Sequence, residues 1–195
     1  FFPCTTSGPA ILGDLISTGL GINGMNWITS PSCTEVETHV LDWLVDMMNL
    51  PNKFKSNSTG GGVLQDTASS SSLVALIAAR EKASNGQINK NGGNQRLTAY
   101  SSSQAHSSIE KAVKIAGIGK DSLRLIKVDD SFAMNPKHLR DSIETDISNG
   151  FTPAFVCATV GTTSSTALDP IEDIGRICQE FNIWLHVDAA LAGPA

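Results

Sequence analysis

Three stretches of this chain combine residue types that do chemistry with spacings that could present them to a ligand. The first is Asp66-Thr67-Ala68-Ser69, shortly after the glycines Gly60-Gly61-Gly62. Glycine permits close approach and unusual backbone angles. Hydroxyl residues at a helix start leave backbone N–H groups free for an anion. A phosphate suits such a place; an N-capped helix after a flexible turn is the plainer alternative. The second stretch is His186-Val187-Asp188-Ala189-Ala190. In a continuing strand, alternation puts His186, Asp188 and Ala190 on one face, where the Asp188 carboxylate could pair with a protonated ring nitrogen. A helix cap or a structural aspartate is the alternative there. The third is Ser103-Gln104-Ala105-His106-Ser107-Ser108, after a strand and at the opening of a helix. His106 could stack on a planar ligand and handle protons, or be an ordinary surface histidine.

Competing chemistries find less support. The chain has no HExxH, no GxSxG and no GxxxxGK[ST]. His106 and Glu110 lie four apart on a helix, but two residues make a poor metal site. The four cysteines form no CxxC pair, so no zinc spacing is present.

The elements that must position these stretches follow from periodicity. Pro9 to Leu20 has helical spacing of apolar residues. A second helix carries Val36, Val40, Trp43, Leu44 and Met47 on one stripe, with Thr34 and Glu37 read as its capping box and Pro51 ending it. A third runs through Leu73, Leu76, Ile77 and Arg80. Residues 84–95, rich in Asn, Gly and Lys, read as an exposed loop. Strands then alternate with helices. The expected strands are 97–100, 123–128, 154–160 and 183–187. The expected helices are 105–116, 136–148 and 170–181, the last two with proline at the start. This alternation predicts an α/β fold with a mostly parallel sheet and helices on both faces. Ligands in such sheets collect at the carboxyl ends of the strands.

Composition sets the outer bounds. With 195 residues, 41% hydrophobic and 17% charged, the chain has the make-up of a globular domain. Its net charge of −5 disfavours nucleic acid or an anionic membrane surface as partner. No apolar run approaches the ~20 residues of a bilayer span. Unpaired cysteines, with Cys157 and Cys178 inside apolar runs, point to a reducing compartment and a cytoplasmic location.

Taken together, the motifs make the chain resemble the group II pyridoxal-phosphate-dependent amino-acid decarboxylases, on the aromatic-L-amino-acid branch. The matching stretches are Phe2-Pro3, Asn26-Trp27-Ile28-Thr29-Ser30-Pro31, Thr34-Glu35-Val36-Glu37, Asp42-Trp43-Leu44, Gly60 to Ser69, Tyr100-Ser101 with Gln104-Ala105-His106-Ser107-Ser108, Thr159-Val160-Gly161-Thr162-Thr163, and Trp184 to Ala190. They occur in family order over nearly the whole chain.

The resemblance implies a transferase-like, fold type I large domain, here incomplete, with pyridoxal 5'-phosphate as cofactor and a homodimer as the assembly. Thr67, Ala68 and Ser69 would hold the phosphate. Asp188 would pair with the ring nitrogen, His106 would stack on one ring face and Ala190 on the other, and Thr163 would sit near both ring and His106. His106 and Asp188 are thus the expected catalytic residues. Phe2, Pro3, Cys4 and Met25 fall where the family lines its side-chain pocket. Cys4, Met25 and Leu191 depart from the residues usual there, which leaves the amino-acid substrate open. The resemblance also implies a cofactor-carrying lysine downstream of Asp188-Ala189-Ala190. No lysine follows Lys137, so the chain by itself is expected to be inactive. The expected reaction of the complete protein is decarboxylation of an aromatic L-amino acid. The alternatives are an aldehyde-forming synthase on the same scaffold and an inert homologue that binds a phosphorylated ligand.

Overall fold

The computed structural model describes residues 6–93 and 95–194. Phe2, Pro3 and Cys4 lie outside the described residues. The chain forms two compact units, Phe1–Leu64 and Gln65–Ala195.

The first unit holds α1 (Gly8–Gly19) and α2 (Pro31–Met47). Helix α1 is capped by Ser7, whose hydroxyl accepts the Ala10 N–H at 3.3 Å, with proline in its first turn. Helix α2 begins at Pro31, earlier than the expected capping box. Proline has its φ pre-set for the first helical position, so the helix starts there and Thr34 falls inside its first turn. The Thr34 hydroxyl donates to the Ser30 carbonyl. Glu37 accepts the N–H of Leu64 at 2.6 Å instead of reaching back to the helix start. The segment after α2 is drawn back onto it: Asp42 accepts both the N–H and the hydroxyl of Ser56, at 2.8 and 2.7 Å. Gly60 passes so close to Lys53 that a Cβ would lie 2.2 Å from the Lys53 carbonyl oxygen. The glycine there serves close packing of backbone on backbone.

The second unit opens with α3 (Ala68–Ala83) and the short α4 (Gln87–Asn91). Segment 84–95 is therefore not irregular throughout, though most of it is exposed. Arg80 and Glu81 hold α4 through Asn89, whose side-chain oxygen accepts from the guanidinium and whose N–H donates to the carboxylate. Then β1 (Leu97–Ser102), α5 (Ser108–Ile115), β2 (Leu123–Ile126), α6 (Pro136–Ser148), β3 (Thr152–Thr159), α7 (Ile171–Glu180) and β4 (Trp184–Asp188) follow in strict alternation. The strands form one sheet in the order β2-β1-β3-β4, every neighbouring pair parallel.

Strand alternation supplies both faces of this sheet. Ala99, Phe155 and Cys157 pack with Leu76 of α3 and Ile109 and Val113 of α5. Tyr100, Val156 and Ala158 pack with Leu139 and Ile143 of α6 and Ile174 and Ile177 of α7. The near-continuous apolar run in β3 is buried on both sides, as a central parallel strand requires.

The helix expected from Ala105 begins later, at Ser108. Side chains take the amides that a longer helix would use: Ser102 Oγ accepts from Gln104 N–H and His106 Nδ1 accepts from Ser108 N–H. His106 is thereby left in the turn rather than on the helix. On the opposite face, Asp146 of α6 is 5% exposed and accepts the Tyr100 hydroxyl at 2.7 Å and the Arg124 guanidinium at 2.8 Å. This pairing fixes α6 to β1 and β2. No helix among the described residues is long and apolar enough to cross a membrane.

Candidate functional site

Helix α3 determines where an anion could be held. Near its start, the buried Ser72 hydroxyl meets His186 Nε2 of β4 at 3.2 Å. At its far end Lys82 Nζ donates to Asn182 Oδ1, just before β4, at 3.2 Å. The helix therefore runs antiparallel to the strands, and its N-terminus arrives at the sheet's carboxyl edge. Thr67 is the N-cap, its Oγ1 accepting the Ser70 N–H at 3.2 Å. The N–H groups of Ala68 and Ser69, and the Ser69 hydroxyl, have no hydrogen-bond partner among the described residues. Two free amides at the positive end of a 16-residue helix fit a phosphate.

The other expected groups converge on the same edge. Asp188 closes β4 half-buried, with one carboxylate oxygen accepting the Ala190 N–H at 3.2 Å and the other unengaged among the described residues. A carboxylate with one oxygen tied and one open suits a cationic ring nitrogen. His106 follows β1 and is exposed. Its Nδ1 accepts the Ser108 N–H at 3.2 Å and lies 2.9 Å from the Ser108 hydroxyl. A backbone amide can only donate, so the hydrogen of this imidazole sits on Nε2, the nitrogen not engaged by Ser108. Thr163 lies exposed in the loop after β3. That loop is tied to the His106 loop where the Ser165 hydroxyl donates to Gln104 Oε1 at 3.5 Å. It also meets the turn after β4. Gly161 has φ +85°, and a Cβ there would lie 3.0 Å from that of Ala192. Ala190 sits exposed in the same turn. Thr67, Ala68, Ser69, His106, Thr163, Asp188 and Ala190 thus share one edge of the second unit. Met25 belongs to the first unit, where it is 75% exposed.

The motifs did not give the roles of several supporting residues. His186 stacks on Phe155, ring centroids 5.5 Å apart, and bonds to Ser72. Burial, partly offset by the Asp188 carboxylate, lowers its pKa, so the ring is neutral at pH 7. Ser72 falls at the i, i+4, i+7 spacing it shares with the buried Leu76 and Ala79, the one sequence signal that could have found it. Asp169, 4% exposed, accepts the N–H of Met134 at 2.7 Å and of Thr159 at 2.8 Å. It pins the end of β3 to the segment entering α6. Burial raises its pKa against the pull of those two hydrogen bonds. Among the described residues no cluster of three or more His, Cys, Asp or Glu could hold a metal ion.

This sheet and edge define an α/β unit of the kind that forms the large domain of fold type I enzymes. Comparison with known proteins carries the assignment further. The family described as "pyridoxal-dependent decarboxylase conserved domain" matches residues 1–195. A tyrosine decarboxylase 2 of Narcissus pseudonarcissus is 46% identical over 100% of this chain and 39% of its own length. A phenylacetaldehyde synthase of Arabidopsis thaliana is also 46% identical, over 100% of this chain and 40% of that protein. The crystal structure of Catharanthus roseus tryptophan decarboxylase in complex with L-tryptophan superposes with a TM-score of 0.92 at 45% identity, covering 99% of this chain and 40% of that one. The chain belongs to the pyridoxal-dependent decarboxylases, a family of carboxy-lyases that use pyridoxal phosphate. It spans about two fifths of the length of the relatives it matches.

Proposed function

We propose that this chain is the cofactor-holding part of the large domain of a decarboxylase acting on aromatic L-amino acids. The observation that carries the reading is the meeting, at one sheet edge, of a free helix N-terminus and the half-open carboxylate of Asp188. The amides of Ala68 and Ser69 with the Ser69 hydroxyl hold the phosphate of pyridoxal 5'-phosphate, and Thr67 keeps that helix end in shape. Asp188 holds a proton on the ring nitrogen. His106, with its hydrogen on Nε2, Ala190 and Thr163 are the groups that would flank the bound ring. Bound so, the cofactor supplies an electron sink for the pair left on Cα when CO2 departs.

The similarity to tyrosine and tryptophan decarboxylases supports an aromatic substrate. A homodimer belongs to the same reading. The apolar Ile11, Leu12, Leu15 and Ile16 of α1, all more than half exposed, are a surface such an assembly could cover, and sedimentation checks it. The test of function uses the product of the complete coding sequence, with Dopa, tyrosine, tryptophan and phenylalanine as substrates. The expected products are amine and CO2, and Asp188→Ala should cost at least about a hundredfold in kcat. Hydrogen peroxide and ammonia appearing with the CO2 would mark an aldehyde synthase instead. Near-normal turnover by the Asp188 variant would remove that residue from the role given to it.

A further inference from the structure

Among the described residues, the Thr159 hydroxyl is the one buried side-chain oxygen with no partner at normal hydrogen-bond distance and angle. The residue is 3% exposed, so water offers little substitute. Native structures rarely leave such groups unpaired, and those they do leave call for an explanation. Its backbone N–H is taken by Asp169, but its hydroxyl is not.

The location suggests what the hydroxyl is for. Thr159 ends β3 and is the parallel register partner of Asp188 at the end of β4. The next residue, Val160, donates its N–H to the Asp188 carbonyl at 2.8 Å, so the two strand ends are locked side by side. Register partners on neighbouring strands point to the same face. Two residues earlier on β4, and four on β3, His186 and Phe155 stack on that face. Between them, the Cys157 thiol has its pKa raised by burial and then by the Asp188 charge, while hydrogen bonding from the Thr159 hydroxyl, to which the sulfur is the competing acceptor, lowers it. Cys157, Thr159 and Asp188 therefore share one environment. The thiol is a weak hydrogen-bonding group. The Asp188 carboxylate has one oxygen without a partner.

Resting on the reading of Asp188 given above, we propose that Thr159 is a positioning residue: its hydroxyl donates to the Asp188 carboxylate and fixes that carboxylate's orientation toward the cationic ring. Valine at this position keeps the shape and removes the donor; serine keeps the donor.

The experiment titrates the cofactor-free product of the complete coding sequence with pyridoxal 5'-phosphate, following protein fluorescence, and records the thermal midpoint of each cofactor-free variant. Thr159→Val is expected to weaken cofactor binding about tenfold, the scale of one hydrogen bond to a charged group, while Thr159→Ser stays within about twofold. The cofactor-free midpoint of Thr159→Val should equal or exceed that of the parent, because an unsatisfied hydroxyl has been removed. In an Asp188→Asn background, Thr159→Val should add nothing further. Unchanged binding by Thr159→Val, an equal loss in the Asp188→Asn background, or a lowered cofactor-free midpoint each overturns the proposal. If Asp188→Asn alone binds the cofactor as tightly as the parent, the reading of Asp188 itself fails, an outcome read from that variant without reference to Thr159.

Discussion

Replacing Ser72 with alanine tests how the helix N-terminus is kept at the sheet edge. Ser72 is 2% exposed, and its hydroxyl, 3.2 Å from His186 Nε2, links the start of α3 to β4. Alanine removes the bond and leaves Nε2 of a half-buried ring without its partner. The lost bond is worth about 1 kcal/mol net, and a desolvated polar atom without a partner costs about 1–3 kcal/mol in all. A loss of about 2 kcal/mol is therefore expected, offset little by the small hydroxyl volume removed. Hydrogen exchange is the appropriate assay, because it reads local opening irrespective of the size of the whole protein. At about 1.4 kcal/mol per decade, the α3 amides should exchange about thirtyfold faster, while those of α6, on the opposite face of the sheet, stay unchanged. Cofactor affinity should fall as well, since Ala68 and Ser69 lie one turn ahead of Ser72. Exchange in α3 altered by less than about twofold would show that apolar packing of Leu76 and Ala79 alone holds the helix, and the argument from Ser72 would fail.

Two further outcomes follow from the same geometry. The folded-state pKa of His186 is lowered by burial, so the unfolded chain binds the extra proton more readily. The stability from this group is present above the unfolded value of about 6.5 and is lost as pH falls toward the folded value. The stability difference between parent and His186→Gln, measured by urea denaturation, should shrink from pH 7.5 to pH 5.5; a difference independent of pH would refute it. Gly60→Ala would place a Cβ 2.2 Å from the Lys53 carbonyl oxygen, a backbone clash that no rotamer relieves. It should destabilise the first unit by about 1–3 kcal/mol, seen as faster limited proteolysis within residues 6–64, and parent-like resistance would contradict the contact.

What the sequence by itself determined is the local order of this protein. Proline at the first position of α6, with Asn135 capping ahead of it, marks that helix from neighbours alone, and Pro136–Ser148 forms as the periodicity demands. Alternation of strands and helices, with an apolar run at 154–158 in β3, sufficed for a parallel sheet covered on both faces. The blocks around Ser69, His106 and Asp188 could be singled out as candidate chemistry because residue type and position at an element's end are themselves local, whereas Thr163 entered only through the family resemblance. Tertiary structure decided the partners. Glu37 has a capping position by spacing, yet it serves Leu64, 27 residues away, because the fold of the first unit brings that amide within reach. Ser72 meets His186 across 114 residues, a pairing set by which helix lies on which sheet face. Asp169 finds Met134 only after β3 and α6 are placed. Hydrogen bonds act over about 3 Å in space, whatever the distance along the chain. A linear pattern therefore specifies which groups are available, and only the packed layers specify which of them meet.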